Sequence, residues 1–235
     1  ARAVTGLGIG GYTSTQVAAR MNAHPILVSV AGDAIPASGS VAVTAKTTNV
    51  LQNTGVFTGA ETGTLADVPG TMSTDAEGNW TFTRARPGGA RYCPAGSQFV
   101  TDWGALLRHR IAWLWGGRNG ALAGHGVEED IAVAVASLGH DRYLVGSVLT
   151  AASDNAGRIS EFQALNLSLK TTYGSRFVDV YDALRAAVDG SPEDAADVAA
   201  GLTPRSKRSD AIHLNAVGYA LVASCFQMAT IGHGW

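Results

Sequence analysis

Two cysteines, Cys93 and Cys225, are all that 235 residues contain, and they stand far apart. No disulfide framework can therefore organise the chain. One bridge and two separate, partly buried thiols are both compatible with such a pair, so cysteine usage fixes no redox compartment. Charge is scarce as well: 15% of residues are charged, and the net charge is −2 with a pI near 6.3. That balance gives no electrostatic reason to expect nucleic acid or an anionic membrane as partner. No apolar run reaches the length of a membrane span, and no charged-then-apolar leader opens the sequence. What the chain has in quantity is apolar residues (46%) and glycine (29). This is the composition of a turn-rich globular protein, long enough for one large domain or for one domain with a sizeable insertion.

The two flanks read as alternating strands and helices. Ala3-Val4-Thr5-Gly6-Leu7 is a short apolar run that ends in Gly8-Ile9-Gly10-Gly11-Tyr12-Thr13-Ser14, and a helical segment follows with Thr13 or Ser14 as cap. Ile111-Ala112-Trp113-Leu114-Trp115 and Tyr143 to Leu149 have the continuous apolar character of buried parallel strands. Helices are expected near 158–173 and 216–229, and helical pieces at 182–188 and 192–200. Between the flanks, Ile26-Leu27-Val28-Ser29-Val30, Val41 to Ala45 and Asn79 to Thr83 are short Val-, Thr- and aromatic-rich segments. Turn signals such as Asn53-Thr54-Gly55 and Asp75-Ala76-Glu77-Gly78 separate them. They predict a small antiparallel β module over 25–101, inserted into an α/β domain made of 1–24 and 102–235. Within it Trp80, alternating with Phe82, reads as core; Tyr92 is free to stack on a sugar.

Three short blocks carry candidate chemistry. Gly10-Gly11-Tyr12-Thr13-Ser14 offers backbone N–H groups in a glycine turn, and Gly117-Arg118-Asn119 ends a strand with a neutral amide donor. Asp210-Ala211-Ile212-His213 places an acid three residues before a histidine, where it can orient the imidazole and leave the other nitrogen for a nucleophile. His125 is a competing histidine without an adjacent acid. In this order the three blocks resemble the SGNH, or GDSL-like, hydrolase family. The resemblance implies a flavodoxin-like three-layer α/β/α sandwich with a parallel sheet, interrupted by the β module. It also implies cofactor- and metal-free, serine-type hydrolysis of a carboxylic ester, such as an acylated carbohydrate. Carried over, Gly11 and Asn119 form the oxyanion hole, His213 is the general base, and Asp210 fixes its tautomer.

The chain departs from that family at the nucleophile. No serine precedes Gly11, Ser14 sits at a helix start, and Gly32-Asp33-Ala34 has alanine where the family's block has serine and comes after the Gly10–Ser14 block instead of before it. The expectation is therefore a chain inactive alone, with the serine on an upstream N-terminal segment that is cleaved off or supplied as a separate piece. The alternative is a non-catalytic carbohydrate-binding or phage-type structural protein on a hydrolase scaffold. A nucleotide-binding domain is disfavoured by the lack of a phosphate loop.

Overall fold

The structure is a computed structural model that describes residues 4–51 and 59–235. Ala3 and the Asn53-Thr54-Gly55 turn lie outside the described residues. In chain order the elements are α1 (Ser14–Arg20), β1 (Ile26–Val30), β2 (Ala34–Ile35), β3 (Ser40–Lys46), β4 (Ala60–Leu65), β5 (Val68–Thr74), β6 (Trp80–Arg84), β7 (Arg91–Tyr92), β8 (Ser97–Thr101) and α2 (Asp102–Leu107). There follow β9 (Ala112–Leu114), α3 (Arg118–Leu122), α4 (Val127–Ser137), β10 (Tyr143–Gly146), α5 (Ala156–Tyr173), β11 (Phe177–Val178), α6 (Val180–Ala186), α7 (Pro192–Ala199) and α8 (Ala216–Gly232). The chain divides into two compact units: residues up to Arg110 with Glu129–His140, and Ile111–Glu128 with Asp141–Trp235.

The first unit is built on a closed antiparallel barrel with strand order β1-β3-β6-β5-β4-β8. Closure leaves no free sheet edge, and period-two alternation sends one face of each strand inward. Ile26, Val28, Val30, Leu65, Met72, Trp80, Phe82 and Phe99 fill the interior. The β4–β5 hairpin turns through Ala66 and Asp67, both with positive φ (47° and 64°), as a two-residue turn with the twist of its flanking strands requires. Outside the barrel, Thr13 caps α1 through a capping box with Gln16. Buried Asp130 accepts hydrogen bonds from Ser14 Oγ (2.6 Å) and Thr15 Oγ1 (2.9 Å) and lies 2.8 Å from His24 Nε2. Ser14 is therefore a structural donor.

The second unit holds a small parallel sheet, order β11-β10-β9, against which α8 packs. Trp113 stacks on Phe226 at 5.2 Å, and its Nε1–H donates to Thr230 Oγ1 at 3.0 Å. Asn155 caps α5 and Asn215 caps α8 through their side-chain oxygens.

These observations correct the expected fold class. The principal sheet is a closed six-stranded antiparallel barrel with accompanying helices, not the parallel sheet of a flavodoxin-like sandwich. The physical reason lies in two places. Residues 4–9, expected to contain the leading strand, form no strand. Meanwhile the Gly-, Ser- and Thr-rich stretch 60–74, with few apolar residues to signal it, supplies β4 and β5, whose six-pair register is closed by a tight local turn. Thr101, the last residue of β8, caps α2 by accepting the Gly104 N–H on its side chain.

The Asp210–His213 loop and its neighbouring cleft

The loop carrying Asp210 and His213 is fixed from both sides. On the upstream side, α7 supplies two buried carboxylates. Asp194 accepts Ser206 N–H (3.0 Å), Ser206 Oγ–H (2.5 Å) and Asp189 N–H (3.0 Å). Burial alone would raise its pKa, but these bonds and the charge of Lys207 outweigh it and hold the carboxyl at about 2. Asp197 takes Arg205 through its N–H and guanidinium, and Arg208 at 2.8 Å. Downstream, Asn215 donates its backbone N–H to Lys207 O and its side-chain amide to Ser206 O. Ser209 N–H closes the loop on His213 O at 2.9 Å.

Within this frame Asp210 and His213 are brought together. Asp210 Oδ1 accepts the N–H groups of Ile212 and His213, each at 2.7 Å, and Oδ2 lies 2.8 Å from His213 Nδ1. The backbone N–H of His213, then that of Ile212, then the ring hold the Asp210 carboxyl at about 2. Both side chains are exposed, His213 at 66%. The arrangement fixes which ring nitrogen meets the acid and turns the imidazole into an oriented base or acid toward solvent.

Asn119 stands on α3, just after the left-handed Gly117 (φ 107°), where a non-glycine residue would be strained and would strike Val127. It lines a cleft of about 330 Å³ together with Arg118, Leu122, Ser153, Asp154, Asn155, Arg158 and Ile212. Ala152 N–H donates to Ala211 O at 2.8 Å, tying one rim of this cleft to the Asp210–His213 loop. Arg118 grips Asp154 with two bonds of 2.7 Å and reaches Leu149 O at 3.2 Å. Burial would raise the Asp154 carboxyl, yet Arg118 and the Ala151 N–H leave it below its ordinary value. Gly11, the other expected oxyanion donor, has φ 80° and falls in the first unit, whereas Asn119, Asp210 and His213 fall in the second. His125 is exposed in the loop before α4. Gly32 and Asp33 form a tight turn after β1, and Ala34 opens β2. Tyr92 is 71% exposed, Trp80 is buried in the barrel, and both cysteines are free thiols.

Sequence reasoning missed Arg118, Asp154 and Arg158. Arg118 adjoins a residue it had singled out, and Asp154-Asn155 follows a strand as Arg118-Asn119 does, a parallel that would have placed both at one end of the sheet.

No protein-family sequence profile matches the chain. It is 27% identical over 239 aligned residues to the tail spike protein of Salmonella phage epsilon15, an alignment that covers 87% of this chain and 21% of that protein. The chain thus spans about a fifth of that relative's length. No solved structure matches it. The SGNH, or GDSL-like, family assignment is thereby corrected: three short blocks agree with its order, but the barrel and the tail-spike likeness stand in place of the family's sheet and profile. Among the described residues no helix is long and apolar enough to cross a membrane.

Proposed function

We propose that this chain is a module of a phage-type structural protein, related to tail spikes, that binds carbohydrate in the cleft beside His213. The observation that carries the proposal is the tail-spike likeness, which runs across 87% of the chain rather than over one motif. The cleft supplies what a glycan needs: guanidinium, hydroxyl and amide groups for its hydroxyls, and Leu122 and Ile212 for its C–H faces. The test is binding of the chain to purified bacterial surface polysaccharides, compared with Ser153→Trp, which fills the cleft. Binding that survives the tryptophan, or no binding to any glycan, would count against the reading.

The Asp210–His213 geometry favours a second reading, in which the protein's full form hydrolyses an ester on that carbohydrate. His213 would take the proton from a serine as it attacks the acyl carbon and return it to the departing alcohol, then take a proton from water as it attacks the acyl-serine and return it to the serine oxygen as the carboxylic acid leaves, while Asp210 stabilises the imidazolium in both halves. Asn119 would donate to the oxyanion. Hydrolysis of a p-nitrophenyl acyl ester and labelling by a fluorophosphonate, both lost in His213→Ala, support this chemistry. Their absence from the full-length protein leaves the binding module alone.

A further inference from the structure

We infer that the cleft prefers a carboxylate-bearing sugar to a neutral one. The inference rests on the carbohydrate-binding reading above and names the ligand class for it. The lining carries two guanidinium groups, Arg118 and Arg158, against one carboxylate, Asp154. Arg118 and Asp154 cancel each other through their paired bonds. Arg158 is left as the charge of the lining. Its partner Glu161, at 2.6 Å, lies outside the lining and is 63% exposed, the kind of ion pair that contributes little in water and yields to a better acceptor.

A sugar carboxylate is such an acceptor, because its two oxygens match the planar guanidinium in a parallel pair of charge-assisted bonds. Arg158 also stands in the first turn of the 18-residue α5, where an added negative charge is favoured by the helix dipole and a lone cation is not. Leu122 and Ile212, 45% and 49% exposed, give the ring an apolar rest. Ser153 adds a hydroxyl to the lining, a donor and acceptor for the ring's hydroxyls.

The experiment is calorimetric titration of the whole chain with galacturonic acid trimers and, separately, with galactose trimers. The expected result is roughly tenfold tighter binding of the acidic trimer, about what one charged hydrogen bond supplies, weakening as salt rises. Arg158→Gln should erase the preference without shifting the melting temperature, since Arg158 is a partly exposed surface residue; Glu161→Gln should sharpen it. Equal binding of both trimers, or a preference that survives Arg158→Gln, overturns the inference and leaves the carbohydrate-binding reading standing. Binding of neither trimer overturns the inference, and failure against surface polysaccharides as well would remove the reading beneath it.

Discussion

Asp210 holds His213 at two points, taking its backbone N–H at 2.7 Å on one carboxylate oxygen and facing its ring Nδ1 at 2.8 Å with the other. Because four consecutive residues close on themselves, the orientation of the ring does not depend on a distant partner. The remainder of the loop has only to be held in place, which Asp194, Asp197 and Asn215 do from the two flanking helices.

The order of these contacts predicts how Asp210 titrates. Its carboxyl is depressed to about 2 from an ordinary 3.8, chiefly by backbone N–H groups and only thirdly by the ring. A depressed carboxyl contributes its stabilisation in full above the ordinary value and loses it as pH falls through about 2. His213→Ala should therefore raise the Asp210 midpoint yet leave it below 3.8, since both N–H donors remain. Carbon-detected titration of the side-chain carboxyl reads this directly. A return to 3.8 would mean that the ring, not the backbone, sets the loop.

Asp194 makes a second acid-dependent prediction. It is fully buried with all three of its donors nearby, and its carboxyl is held at about 2. Asp194→Asn should cost about 1–3 kcal/mol at neutral pH, where the ionised acceptor is lost. The sign follows from the depressed value: the wild-type advantage is complete above 3.8 and disappears as pH falls through about 2. Urea unfolding of both proteins at several pH values should show two curves converging on the acid side. Parallel curves would assign the stabilisation to packing instead.

Much of the local structure was legible in the sequence, and the global arrangement was not. Thr13 caps α1 as its position ahead of a helical segment implies, and capping chemistry is local enough to be read from neighbours alone. The strands β1, β3 and β6 carry the Val- and Thr-rich alternation that marks them. β4 and β5 do not: their inward positions include Gly63 and Gly70, covered by Phe99 and Phe82 from other strands, so their burial depends on partners that no window reveals. Of the candidate site, the Asp210–His213 pair was visible because it spans only four residues. The Arg118–Asp154 pair joins residues 36 apart and needed the fold.

That pair gives the third prediction. Asp154 is 4% exposed and Arg118 17%, so removing the guanidinium leaves a buried carboxylate without its counter-charge. Arg118→Ala should destabilise the second unit by about 3–5 kcal/mol. The double variant Arg118→Ala with Asp154→Ala should lose less than the sum of the two single losses, with a coupling of about 0.5–3 kcal/mol. Chemical denaturation of the four proteins measures it; additive losses would show that the two residues act separately.

The barrel supplies the last prediction. Gly63 and Gly70 face each other across the β4–β5 ladder. A Cβ on Gly63 would strike Val100 O and come within 2.7 Å of the Phe99 ring. One on Gly70 would come within 2.5 Å of both the Phe82 ring and Thr83 O. The two rings meet edge to face at 6.3 Å in the barrel core, so neither can withdraw without opening a void, and the carbonyls are fixed in the ladder. Each glycine-to-alanine change should therefore cost about 1–3 kcal/mol of barrel stability by overpacking. The double variant should not cost twice that, because the first insertion already displaces the aromatic pair that the second would meet. Thermal unfolding followed by the near-ultraviolet signal of buried Trp80 reports on the barrel. Wild-type stability in both single variants would show that the rings do not rest on those two backbones.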